Sequence, residues 1–157
     1  MIGPYDVKPS SGKMIISVIK GQVPGYSPGG RNFVYVNDVA RAIVNALTKG
    51  RLGECYIACG VNLTYKEMFG KIAAQFNVKP PSISIPAFAV LIYGRILGWI
   101  GKLTGKEPVI SYPLAKISNE FHYYSNAKAV KELDMPQTPI EDAIQEAVDW
   151  FKAEKYL

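Results

Sequence analysis

The side chains with the most reactive chemistry are few: Cys55, Cys59 and His122, in a chain of 157 residues holding two cysteines and one histidine. A structural zinc cage takes four nitrogen or sulfur ligands, so this set is too small for one. The two cysteines share the run ECYIAC at 54–59, whose pattern predicts a strand. On a strand both face the same side, about 13 Å apart along the rise, too far for a disulfide. They read as small buried hydrophobes. His122 stands among Phe121, Tyr123 and Tyr124. An imidazole in that setting either donates to a substrate oxygen from a pocket wall or packs among the rings.

Charge and composition narrow the function classes. Lysine and arginine number 18 against 13 acids, a net charge of +5. That excess permits an anionic partner, but the cations are spread along the chain, which argues against nucleic acid. With 48% hydrophobic and 20% charged residues, the chain has the composition of one globular domain, not of a disordered tail or a disulfide scaffold. Residues 1–20 carry Pro4, Asp6 and Pro9 where a secretory signal needs an apolar core. The most apolar run, IPAFAVLIYGRILGWI at 85–100, is interrupted by Arg95 and falls short of the roughly 20 residues that span a bilayer. A cytoplasmic location is expected.

The elements that must position these groups follow from periodicity. SSGKMIISVIKG at 10–21 predicts a short helix with Met14, Ile15, Val18 and Ile19 on its apolar stripe and Ser10 or Ser11 as cap. QVPGYSPGGR at 22–31 predicts a turn-rich loop. NFVYV at 32–36 alternates as a strand does, and Asp38 is placed to cap a helix to about Lys49, with Val39, Ala40, Ile43, Val44 and Leu47 on one face. Thr64 and Glu67 form a capping box ahead of Tyr65, Met68, Phe69, Ile72, Ala73 and Phe76, a helical stripe. SISI near residue 83 is strand-like, and residues 87–104 predict a long helix apolar nearly all round. A loop follows at 105–120, with a helical turn or two after Pro113. FHYY at 121–124 is a short strand, and Ser125 caps a helix over 126–133. Thr138 and Pro139 open the last helix, with Glu141 completing a second capping box and Ile140, Ala143, Ile144, Ala147, Val148 and Phe151 as its buried stripe. Alternating strands and helices give an α/β class, helix-rich with a few short strands, and without the G-x-G-x-x-G phosphate turn of a doubly wound fold.

Five strings, IGPYDVKPS at 2–10, GGRNFVYVNDVARAIVNAL at 29–47, GECYIACGVNLTYKEMF at 53–69, YYSNAKAVKEL at 123–133 and TPIEDAIQEAVDWF at 138–151, stand in an order that resembles the C-terminal portion of the extended short-chain dehydrogenase/reductase family. The branch most similar is the dihydroflavonol-reductase-like, NAD-dependent epimerase/dehydratase one. The resemblance implies that residues 1–157 are a single substrate-binding lobe of a Rossmann-type protein. Its N-terminal cofactor domain, with the glycine fingerprint and the catalytic Tyr-x-x-x-Lys, would lie upstream of the IGPYD segment. On that reading the strand at 54–59 lacks its sheet partners. The chain then self-associates or binds a complementary Rossmann half, and alone it does not turn over substrate. Two Tyr-x-x-x-Lys spacings do occur, Tyr112–Lys116 and Tyr124–Lys128. Neither matches the family's catalytic helix, and both are expected to be wall or packing tyrosines with solvated lysines.

The resemblance also assigns candidate site residues. Ile2, Gly3 and Pro4 would pass the nicotinamide end of NAD or NADP, where glycine lets backbone approach the ring. Arg31 matches an arginine that grips a substrate diphosphate in sugar-nucleotide epimerases, a task suited to a forked guanidinium. The second arginine of that grip has no counterpart in NEFHYYSN at 119–126, which favours a smaller or more apolar substrate. Phe88 and Tyr93, on the long helix, would cover a lipophilic ketone, alcohol or sugar derivative, with His122 facing it. The same helix also reads as a core helix or, with Trp99, Arg95, Lys102 and Lys106, as a membrane-surface helix. A stand-alone, non-catalytic binding module derived from such a lobe is the other reading of the whole chain.

Overall fold

The computed structural model describes residues 1–105 and 112–157, with no account of the side chains of 102–104. Its elements in chain order are α1 (Ser11–Ile19), β1 (Gly25–Tyr26), β2 (Gly30–Phe33), α2 (Val36–Lys49), β3 (Val61–Thr64), α3 (Tyr65–Gln75), β4 (Ile83–Ser84), α4 (Ala87–Thr104), α5 (Tyr112–Ser118), β5 (Phe121–His122), α6 (Ala127–Leu133) and α7 (Ile140–Ala153). The α/β, helix-rich class with short strands is the one the sequence predicts. The part of the predicted loop at 105–120 that falls on 106–111 lies outside the described residues.

The main core forms where α7 is clasped by α1, α3 and the β2–β3 ladder. Ile15 and Val18 of α1, Met68 and Ile72 of α3, and Ile144, Val148 and Phe151 of α7 are fully buried there. These are the stripe residues that the 3.6-residue period selects, and their burial stabilises each helix more than propensity does. A smaller cluster joins α2 to α6 through Ala42, Ala129 and Leu133.

Two sheets position the rest. In the larger, β2 lies between β3, antiparallel with Arg31 opposite Leu63, and β5, parallel with Arg31 opposite His122. Beyond the end of β2, Ile2 bridges Tyr35. The Ile2 amide donates to the Val34 carbonyl and the Val36 amide donates to the Ile2 carbonyl, both at 2.8 Å. The smaller sheet pairs β1 with β4, so the loop predicted over 22–31 contains a strand that only a distant partner reveals.

Several local predictions are corrected. The strand expected at 32–36 ends at Phe33, because α2 begins at Val36. The strand expected at 54–59 is not in any ladder; β3 starts at Val61 instead. Side chains of α6 and of Asn126, the residue before it, hold this segment. Asn126 Nδ2 donates to the Cys59 carbonyl at 2.7 Å and Lys128 Nζ to the Cys55 carbonyl at 2.9 Å. Arg51 makes a forked pair with Glu132, which also accepts from the Tyr56 hydroxyl at 2.7 Å. Of the two cysteines, Cys59 is buried but Cys55 is exposed.

Helix caps are corrected in the same way. Asp38 does not cap α2: it sits in that helix's first turn, buried, and accepts from Thr138. With its hydroxyl so engaged, Thr138 forms no capping box, and Glu141 pairs with Lys71 at 2.6 Å. At α1 the cap is Asp6, whose Oδ2 accepts from the amides of Ser10 and Gly12; neither serine side chain takes part. The Thr64–Glu67 box forms as predicted. Thr64 Oγ1 accepts from the Glu67 amide at 3.1 Å, and Glu67 Oε2 accepts from the Thr64 amide at 2.8 Å.

The largest departure is α2. Of its predicted stripe, Ile43, Val44 and Leu47 are 62%, 63% and 84% exposed. The face that packs on α6 is the small-residue one, with Ala42 at its centre. An amphipathic helix with its large apolar residues in solvent lacks the surface its pattern is written for.

Candidate functional site

The groups singled out from the sequence converge on β2, with two exceptions. Arg31 and His122 are register partners on neighbouring strands, so their side chains leave the same face of the sheet. Arg31 is exposed and His122 half-buried. The His122 Nε2 atom is itself buried, 3.5 Å from a Glu120 carboxylate oxygen. Among the described residues it has no hydrogen-bond partner. A buried ring nitrogen without a hydrogen-bond partner calls for an explanation, and here the Glu120 carboxylate stands within ion-pair reach of it.

The segment Met1–Pro4 runs close by. Burial, and then the positive charge of Arg31, hold the Met1 amine below its usual range. Ile2 is buried in the main core. Gly3 has φ +150°, and a Cβ there would lie 2.3 Å from Val36 Cγ1, so this turn accepts only glycine. Pro4 is half-buried.

Phe88 and Tyr93 stand apart. Both are exposed on α4, which packs chiefly on α5. The helix start is tied toward the sheet: Asn119 Nδ2, three residues before His122, donates to the Ala87 carbonyl at 3.1 Å.

The two Tyr-x-x-x-Lys spacings show no proton-transfer pair. Lys128 is bound to Glu54 at 2.6 Å and lies over the Tyr56 ring, while the Tyr124 backbone pairs with Asn62. Tyr112 lies under the Arg95 guanidinium, 5.6 Å from ring centre to charge.

Sequence reasoning missed a cleft of about 490 Å³ between β2–β3 and the start of α7, lined by Tyr35, Asp38, Gly60, Lys71, Thr138 and Glu141 among others. Beside it the Tyr35 hydroxyl donates to Glu146 and accepts from Asn37 Nδ2 at 2.6 Å. Burial first, and then the Glu146 carboxylate, push the Tyr35 phenol above its ordinary value, so it stays protonated as a structural link from β2 to α7. The polar residues facing this cleft come from segments about 100 residues apart in sequence, and no local spacing signals them. Among the described residues no group of three metal-ligating side chains occurs.

Known proteins match the chain over nearly its full length. The chain is 29% identical over 161 residues to a Synechocystis protein provisionally named dihydroflavonol 4-reductase, covering 99% of this chain and 47% of that one. Among solved structures, that of gox2253 superposes with a TM-score of 0.77 at 32% identity, over 98% of this chain and 47% of the other. A nucleoside-diphosphate-sugar epimerase from Pseudomonas aeruginosa superposes with a TM-score of 0.76 at 25% identity, over 99% and 46%. The chain therefore spans about half the length of the proteins it matches. No family model matches it.

Proposed function

We propose that this chain, which matches the C-terminal portion of the extended short-chain dehydrogenase/reductase family, is the substrate-binding lobe of an NAD(P)-dependent oxidoreductase or epimerase of the dihydroflavonol-reductase-like kind. The observation that carries the reading is the pairing of Arg31 with His122 across β2 and β5, beside the Met1–Pro4 segment. Arg31 offers forked donors to an anionic or oxygen-rich substituent, and the half-buried His122 ring flanks it on the same sheet face. The substrate is an apolar ketone or alcohol, or a sugar derivative.

The chain's own residues do not fit the whole cofactor. It has no glycine fingerprint to seat a pyrophosphate, and Ile2, Gly3 and Pro4 offer only an edge to the ring end. Nucleotide binding is assigned to an N-terminal Rossmann half, which also covers the α2 stripe and supplies ladder partners for residues 54–59. Hydride transfer to or from a carbonyl or alcohol carbon belongs to that assembly; this lobe binds and orients the substrate and excludes water.

The test is reconstitution with the N-terminal half of the Synechocystis relative, followed by NADPH oxidation with dihydroflavonol and simple aryl ketones. The reading expects turnover whose KM rises about tenfold or more in Arg31→Ala and in His122→Ala, with kcat less affected. A reconstituted pair that turns over with unchanged KM in both variants would overturn the assignment of the site. A chain that folds alone, ignores the N-terminal half and yet binds a ligand would support the stand-alone module instead.

A further inference from the structure

We infer that the outward face of α4 is a seat for an anionic lipid surface. One side of this helix, through Val90, Gly94 and Leu97, is turned inward. On the other side Phe88, Ile92, Ile96 and Trp99 recur at spacings of four, four and three, a single stripe. Phe88 is 67% and Trp99 73% exposed, and Ile92 and Ile96 are more than half exposed. Arg95 stands among them with its guanidinium over the Tyr112 ring. Tyr112 and Ile117 of α5 extend the apolar surface, and Lys116 of the same helix is exposed.

Charge selects the occupant. No Asp or Glu occurs between Glu67 and Glu107, while Lys71, Lys79, Arg95, Lys102 and Lys106 fall in that stretch, and Arg95 and Lys116 are exposed on α4 and α5. A second copy of this chain would bring Arg95 and Lys116 against their like. An anionic bilayer surface complements them, and Trp, Tyr and Arg beside aliphatic residues are the set that settles at a headgroup boundary. No helix among the described residues is long and apolar enough to cross a membrane, so the contact is one of lying on the surface. This inference is independent of the substrate-lobe reading.

The experiment is sedimentation of the full chain with vesicles of phosphatidylcholine alone and of phosphatidylcholine with phosphatidylserine, following the change in tryptophan emission over the constant background of Trp150. Binding to the serine-lipid vesicles with a blue shift is expected, and weak binding to phosphatidylcholine alone. Ile92→Ser with Trp99→Ser leaves the charge unchanged and should weaken partitioning about tenfold or more. Circular dichroism checks that this variant, altered only at exposed positions, stays folded. Failure to bind anionic vesicles would overturn the inference. So would binding untouched by the double variant, which is adsorption by charge alone. A dimer that the double variant dissociates, or vesicle binding abolished by an added N-terminal half, would assign the face to protein.

Discussion

The buried Asp38 carboxylate accepts two hydrogen bonds from Thr138, one from the amide to Oδ2 and one from the hydroxyl to Oδ1, each 2.8 Å long. The contact joins the first turn of α2 to Thr138, two residues before α7 and a hundred positions later. It locks the small α2–α6 cluster to the main core. Hydrogen bonds to a charged acceptor are among the stronger ones, so Asp38→Ala should cost about 2 kcal/mol. Asp38→Asn keeps one acceptor for the Thr138 amide and should cost about half as much. Urea unfolding of the three proteins checks the order; equal stabilities would show that the link carries no weight.

Gly12 fixes how closely α1 approaches α7. A Cβ at this position would lie 2.3 Å from Phe151 Cζ and 2.8 Å from Asp6 Oδ2. Gly12→Ala, which improves helix propensity, should nonetheless destabilise the fold by about 1–3 kcal/mol through overpacking. Phe151→Ala should cost about 3–5 kcal/mol through the cavity it leaves. The thermal melt of each variant measures this, and a gain in Gly12→Ala would contradict the packing described.

Acid should loosen the chain with a predictable sign. Glu54 is held below the ordinary glutamate value of 4.5 by Lys128, Glu132 by Tyr56 and then Arg51, Glu67 by the Thr64 amide, and Glu141 by Lys71. A carboxyl lowered in the folded state stabilises it fully above the unfolded value and loses that contribution as pH falls below that value through the depressed folded one. Urea midpoints should therefore be level near neutrality and drop as pH passes down through about 4.5. The drop should be shallower in Glu54→Gln with Glu132→Gln, which removes two of the groups. Identical pH profiles would mean that these pairs leave stability untouched.

The exposed stripe of α2 should make the chain associate. Ile43→Lys with Leu47→Lys changes only solvent-facing positions, so intrinsic stability should move by no more than about 0.5 kcal/mol. Light scattering should show oligomers for the parent chain and a monomer for the variant. A monodisperse parent would count against an unpartnered apolar face.

Helices were legible where a stripe pairs with a core within the chain, as in α1, α3 and α7. Met68, Ile72, Ile144 and Phe151 are buried as their period predicts. The Thr64–Glu67 box was legible because both partners lie within four residues. What failed depended on distant partners. Asp38 has the form of a local cap, but Thr138 claims its carboxylate. Residues 54–59 have the pattern of a strand, but Asn126 and Lys128 at the start of α6 hold them, and among the described residues no strand pairs with them. β1 is two residues long and exists only against β4. The pairing of Arg31 with His122 likewise depends on sheet register across ninety residues, which no local pattern encodes.

The most direct test of the substrate-lobe account mixes the purified chain with the N-terminal half of its Synechocystis relative. Mass is measured by light scattering, and melts are recorded with and without NADPH. The account predicts a one-to-one complex whose melting rises with the nucleotide, while the chain alone shows no nucleotide shift. A chain that stays unassociated with that half, or whose own melt rises with NADPH, would contradict it.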